Sequence, residues 1–235
     1  NPTSDHIKKI KFIEKNYKNK NFLIEKPLFS KPDKINLKKN KYFVGYNLRF
    51  DPIINFLRSK IRYQKIWNVN IFCGSYLPNW RKNIDYKQSS SAKKKFGGGV
   101  LLDLSHELDY VQWLFGKIKI EHCKSKKLSN LGIETDDFLN LVGKTKKVPS
   151  IQITLNYFTR ERTRQVFIDG NNISMQADLI KKNVVYYQGN KKRIYNFKNL
   201  EKNLDYKKQH LAILKKKSIE KLCTFEEGKR LVYLI

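Results

Sequence analysis

The 235-residue chain has three cysteines, one methionine and four histidines. Cys73, Cys123 and Cys223 lie far apart and no C-x-x-C occurs. That spacing argues against a disulfide framework or a zinc cluster and for reduced thiols in a cytoplasmic protein. No H-x-x-x-H or acidic cluster is present, so no metal is expected. No apolar run nears the ~20 residues that a bilayer crossing needs. Val100-Leu101-Leu102 stops at Asp103. A transmembrane protein is therefore not expected. No charged n-region with an apolar h-region opens the chain, so no secretory signal is visible. The chain starts at Asn1 rather than Met and reads as a sequence entered midway. G-x-G-x-x-G is also missing. Gly97-x-Gly99 comes nearest, with Leu102 in the third place.

Arginine is scarce as well: nine against forty lysines, in a chain of net charge +28. Such a charge raises nucleic-acid binding as a possibility. Arginine is the residue that bidentate phosphate and base recognition favours, however. The lysines are spread over the whole chain, and Lys, Asn and Ile are abundant together, as in proteins from AT-rich genomes. Dispersed lysine reads as a solvated surface, so a nucleic-acid partner is not expected. What the chain has in quantity is core: 40% hydrophobic and 13% aromatic residues, which argues against wholesale disorder.

Thr3 or Ser4 can cap a helix carrying Ile7, Ile10, Ile13 and Tyr17 at helical spacing. Phe22-Leu23-Ile24 is a short strand, Pro32-Asp33 opens a short helix to about Lys39, and Tyr42–Tyr46 is a second strand. Helix, strand, helix, strand predicts α/β layering with parallel strands. Asp51-Pro52 starts a helix to about Ile61. A strand is predicted over 64–76, a long loop over 77–96 and a helix over 100–115 that ends at Gly116. Beyond 150, Ile151, Ile153, Leu155 and Tyr157 alternate with polar residues, as do Ile173, Met175, Ala177 and Leu179. Gly170-Asn171-Asn172 and Gly189-Asn190 supply turns. The pattern predicts an antiparallel meander, followed by helices over about 201–216 and 225–234. The expected fold is α/β plus α+β, with a large, open, mostly antiparallel sheet flanked by helices.

Two segments can carry chemistry. Lys26 follows a strand, where ligands of open α/β sheets lie, and could donate to a substrate oxygen. An exposed turn lysine is the alternative. On a wheel of ~100° per residue, His106 lies opposite the stripe of Leu101, Leu104, Leu108, Val111 and Phe115. Asp103 and Asp109 flank it at i−3 and i+3, and either could orient the ring. A solvated polar face is the alternative, although Leu102 and Trp113 share that face. Gly97-Gly98-Gly99 allows a ligand or another backbone to come close. Trp80-Arg81 pairs a ring with a planar cation, suited to stacking on a ligand or to anchoring the loop.

Several of these segments, in order, resemble the Gfo/Idh/MocA oxidoreductases. They are Asn1-Pro2-Thr3-x-x-His6, Phe22-Leu23-Ile24-Glu25-Lys26-Pro27 and Gly45-Tyr46-Asn47-Leu48-Arg49-Phe50-x-Pro52. Trp80-Arg81 and the run from Gly97 through His106 to Asp109 complete the series. The resemblance implies the C-terminal part of a Rossmann domain over residues 1–47, lacking its first part, and a substrate-binding and oligomerisation domain over 48–235. It implies hydride transfer between NAD or NADP and a hydroxyl or keto carbon of a sugar, cyclitol or nucleotide sugar. It assigns catalysis to Lys26, His106 and Asp103. Pro2, Thr3, His6, Glu25, Lys26, Pro27, Trp80 and Arg81 would bind the cofactor. Lys26, Arg49, Asp103, His106 and Asp109 would bind the substrate. Homo-oligomers would form through the C-terminal sheet. The family's Asp usually stands four residues before the His, where this chain has Leu102, so its role passes to Asp103 or is absent. Without the phosphate-binding glycines, the chain by itself is expected to be inactive. A non-catalytic oligomerisation or substrate-binding module is the second reading.

Overall fold

The computed structural model describes residues 3–30 and 35–234. Pro2, and the helix start expected at Pro32-Asp33, lie outside them. Residues 35–40, expected to continue that helix, are irregular. The first helix, α1 (His6–Asn16), follows a single 3-10 turn. Its N-cap is Asp5, without a side-chain cap bond, so neither Thr3 nor Ser4 caps it as expected. Strands β1 (Asn21–Ile24) and β2 (Lys41–Val44) pair in parallel, as the layering predicts. The Asp51 carboxylate then accepts from Ile53 N at 2.7 Å and Ile54 N at 3.2 Å. With Pro52 in the first turn, these bonds start α2 (Pro52–Ile61).

Strand β3 (Ile66–Gly74) lies in the middle of an eight-stranded sheet. The long loop after it contains four separate 3-10 turns between Leu77 and Phe96. The predicted helix over 100–115 is two helices, α3 (Val100–Asp103) and α4 (His106–Phe115). Leu104 and Ser105 break it, and the Ser105 hydroxyl bonds back to the Leu102 carbonyl at 2.9 Å. Strands β4 (Lys119–Lys126), β5 (Phe138–Lys144), β6 (Ser150–Asn156), β7 (Thr163–Gly170), β8 (Ile173–Asp178), β9 (Asn183–Gln188) and β10 (Lys191–Asn196) complete the large sheet. Its order is β10-β9-β8-β7-β3-β6-β5-β4. Every pairing is antiparallel except β3 with β6.

Helix α5 (Leu204–Leu214) follows, and then the chain returns. Strand β11 (Cys223–Thr224) pairs antiparallel with β2, and α6 (Phe225–Tyr233) packs beside it. A capping box between Thr224 and Glu227 starts α6. The small sheet is therefore not built from residues 1–47 alone. A two-residue strand gives too short a pattern to read in sequence. One face of the large sheet is covered by helices. Phe56 of α2 lies 4.6 Å from Tyr195 and 6.5 Å from Tyr186, ring centre to ring centre. Ile71, Ile153, Val166 and Ile168 share one core with Leu57, Leu108 and Val111. No helix among the described residues is long and apolar enough to cross a membrane.

Candidate active site

Strand β1 ends at Ile24, and the next residues carry Lys26 to the edge of a cleft of about 840 Å³. The Lys26–Pro27 peptide is cis. The Lys26 ammonium donates to the backbone carbonyl of Asp103. Burial lowers its pKa below the ordinary lysine value, against the opposing pull of the Asp103 and Glu107 carboxylates.

Asp103 closes α3 and lies where the helix breaks. Its carboxylate accepts the Tyr157 hydroxyl at 2.5 Å, so one residue ties the lysine segment to the end of β6. His106 begins the next helix and its ring meets Tyr46 edge-on at 5.5 Å. The Tyr46 hydroxyl in turn donates to Ser105 Oγ at 3.2 Å. His106 Nδ1 is buried and has no hydrogen-bond partner among the described residues. Burial, then the positive charges of Lys26 and Arg164, push its pKa well below the ordinary imidazole value. Burial and the two cations thus favour the neutral ring. Lys26, Asp103 and His106 all line the cleft.

The glycines before α3 admit backbone. A Cβ built on Gly98 would come within 2.2 Å of the Ser90 carbonyl oxygen, and one on Gly99, at φ +120°, within 2.2 Å of Asp136 Oδ1. They seat α3 against the long loop and the segment before β5.

Two expected substrate contacts are elsewhere. Arg49 and Asp109 are 2% and 1% exposed and form a bidentate ion pair, Nη2 to Oδ1 at 2.7 Å and Nε to Oδ2 at 3.0 Å. Arg49 Nη1 also reaches Glu227 at 3.2 Å. Neither Arg49 nor Asp109 lines the cleft. The pair clips the turn at Asn47–Phe50 to α4 and α6. The helical wheel placed Asp109 beside His106 on an unbroken helix, and it could not show a guanidinium arriving from another segment.

The expected cofactor contacts divide. Trp80 and Arg81 line the cleft. The Trp80 ring meets Tyr157 edge-on at 5.2 Å, and its Nε1 donates to Ser75 Oγ at 2.9 Å. Arg81 is exposed. His6 is buried, with Nδ1 3.1 Å from the Leu28 carbonyl oxygen, and Thr3 lies beside Gly97. Pro27 is buried and Glu25 exposed. None of these last four lines the cleft.

Sequence reading missed Tyr157 as a partner of Asp103. It also missed the buried pair of Glu107 and Arg164, whose Oε1 and Nε stand 2.8 Å apart beside the cleft. Arg164 did leave a signal. With Arg160 and Arg162 it forms an alternating arginine run in a chain that otherwise prefers lysine. Among the described residues, no group of three or more His, Cys, Asp or Glu is placed to hold a metal ion.

A profile described as the GFO/IDH/MocA C-terminal domain matches residues 57–176. Solved structures share the fold. UDP-N-acetylglucosamine 3-dehydrogenase from Acidithiobacillus ferrooxidans superposes with TM-score 0.74 at 15% identity, over 100% of this chain and 74% of its own. A levoglucosan dehydrogenase in complex with NADH gives 0.76 at 14%, over 100% and 74%. An aldose-aldose oxidoreductase from Caulobacter crescentus, complexed with glycerol, gives 0.78 at 14%, over 99% and 72%. No curated protein sequence matches the chain.

Proposed function

Because the chain belongs to the GFO/IDH/MocA family of oxidoreductases, we propose that it transfers a hydride between NAD or NADP and the hydroxyl or keto carbon of a sugar, cyclitol or nucleotide sugar. One observation carries the reading. Lys26, just past β1, meets Asp103 and His106, which lie 77 residues and more further along the chain, in one cleft, with a buried, unpartnered imidazole nitrogen among them. Buried titratable groups drawn together in a cleft mark functional sites.

The residues present fit the nicotinamide end of the cofactor: Lys26, the half-exposed Trp80 and the cationic Arg81. When bound, NAD(P) supplies the hydride acceptor or donor. The protein's own residues handle the oxygen and its proton. Lys26 donates a hydrogen bond to the reacting oxygen, with Asp103 holding the lysine in place through its carbonyl. His106 takes the hydroxyl proton on Nε2 during oxidation and returns it during reduction. Residues 1–47 form the dinucleotide side of the cleft and 48–235 the substrate side, with β11 and α6 joined to the former.

Activity is tested on the reading frame extended upstream through any G-x-G-x-x-G segment. Nicotinamide absorbance is followed with a panel of sugars, cyclitols and nucleotide sugars. No turnover with any pairing would overturn the reading. The 235-residue chain alone has no G-x-G-x-x-G turn to hold a pyrophosphate, and Gly98 and Gly99 before α3 are packed against Ser90 and Asp136. It should bind NADH far more weakly than micromolar. Calorimetric titration showing micromolar affinity would refute that.

The uncovered face of the large sheet completes the proposal, as the surface for a second copy. Phe72, Phe167 and Val185 are half-buried there, with Tyr187 and Ile194 exposed at 38% and 58%. Apolar groups of this kind, interspersed with Asn, Gln and Thr, suit an interface. Tyr157, Tyr186 and Tyr195 are not part of it, because Tyr186 and Tyr195 pack on Phe56 and Tyr157 on Asp103 and Trp80. Sedimentation is expected to show dimers or larger species at tens of micromolar, and monomer alone would remove the interface.

A further inference from the structure

The cleft is lined by six cationic residues and four carboxylates, and the two sets differ in how they are partnered. Asp51 holds the first turn of α2, Asp103 takes the Tyr157 hydroxyl, Asp205 takes the Asn47 amide and Glu201 pairs with Lys207 at 3.0 Å. Each acid is therefore engaged by the protein. Lys26 and Arg164 are engaged too. Arg81, Arg162, Lys182 and Lys202 have no ion pair or hydrogen bond from their side chains among the described residues.

Strand register gathers three of these four at one end of the sheet. Arg164 pairs with Cys73, Gln165 with Asp178, Asp178 with Asn183 and Asn183 with Asn196. Leu179 N donates to the Arg164 carbonyl at 3.0 Å, and Phe197 N to that of Lys182 at 2.8 Å. Arg162, Lys182 and Lys202 thus leave the sheet at the end where β3 delivers Gly74 to the cleft.

Composition alone would scatter lysines here. Instead, no lysine occurs between Lys147 and Lys181, while three of the nine arginines fall at 160, 162 and 164. Arginine retained in a lysine-rich chain points to a need for its planar fork, which matches phosphate oxygens. Arg160 stacks on Tyr76 at 3.8 Å and Arg164 holds Glu107, which leaves Arg162 for a ligand. The volume, about 840 Å³, is near the upper end of ligand pockets, ~300–1,000 Å³, and exceeds what one sugar ring fills.

We infer that the substrate carries a phosphoryl or pyrophosphoryl group, as a nucleoside-diphosphate sugar does, and that Arg162, with Lys182 and Lys202, receives it. The inference rests on the oxidoreductase reading for what happens at the sugar carbon, but not for the anion site. The same chemistry could come from the pyrophosphate of the dinucleotide, so the test separates the two sources.

Calorimetry with UDP, inorganic pyrophosphate and NADH is applied to the protein prepared for the activity test. Variants are the triple Arg162→Ala/Lys182→Ala/Lys202→Ala and, as a charge control outside the cleft, Arg62→Ala. The triple variant should bind UDP and pyrophosphate about tenfold more weakly or worse, since contacts to charged groups are the strong ones. Its NADH affinity should move less than twofold, and Arg62→Ala should change neither. The native affinity for UDP should fall as salt rises. No UDP binding by the native protein, or equal binding by the triple variant, would overturn the inference. So would a loss confined to NADH, which would give this end of the cleft to the dinucleotide. Turnover of neutral sugars only would overturn it while leaving the oxidoreductase reading intact. UDP binding in a protein with no turnover on any substrate would support the anion site and sink the oxidoreductase reading.

Discussion

Lys26→Met and His106→Asn should each lower kcat by about 10²–10⁴-fold, with NAD(P) affinity changed far less, because a positioned acid or base contributes on that order. In the proposed mechanism both side chains act on the reacting C–O–H rather than on the dinucleotide. The pH profile should carry the mark of their surroundings. Burial and the neighbouring cations hold His106 below the ordinary imidazole value, so its neutral, proton-accepting form persists to lower pH than usual. Burial also lowers Lys26 from 10.5, so its donating form is lost earlier as pH rises. Both limbs of kcat/KM in the oxidation direction are expected to move downward in pH. Near-native turnover in either variant would remove that residue from the mechanism. Asp103→Asn should be milder than either, since Lys26 rests on the Asp103 carbonyl, which that substitution keeps.

The second large effect is on stability. Arg49→Leu should cost about 3–5 kcal/mol, because it strands the buried Asp109 carboxylate without its guanidinium. For a chain of this length that is a fall in Tm of roughly 10 °C. Leaving Glu227 behind matters less, since it is 35% exposed and can turn to water. The double variant Arg49→Leu/Asp109→Leu should recover much of the loss, as apolar replacements of a buried pair often do. Lys93→Ala, which breaks the exposed pair with Glu134, should cost under ~1 kcal/mol. Equal denaturation midpoints for Arg49→Leu and Lys93→Ala would mean that the buried pair contributes nothing special.

Local chemistry decided what could be read in advance. Asp51-Pro52 states a helix start in two residues, and the structure uses the carboxylate accordingly. Alternation at Ile151, Ile153 and Leu155 gives the strand, because a period of two survives any sheet partner. The break at Leu104–Ser105 was not legible. All its residues tolerate helix, and the interruption follows from the Lys26 and Tyr157 contacts to Asp103, made across the fold. Those contacts also put Asp103 on the cleft although its wheel position differs from the family's usual Asp. Asp109 misled for the same reason in reverse, since its partner arrives from sixty residues away. Lys26 was legible through its motif, not through its setting, because nothing local separates it from a surface lysine.

The return of β11 and α6 to β2 has a consequence for how the molecule comes into being. Val44 of β2 pairs with Cys223, so the small sheet waits for β11 while the large sheet, which lies between them in sequence, is made. Contacts between such distant residues form late and slow folding. While the chain is synthesised, the large sheet can close on its neighbours, but the segment bearing Lys26 lacks its final strand and the helix that packs on it. The lysine side of the cleft is therefore completed only after the large sheet that walls its other side.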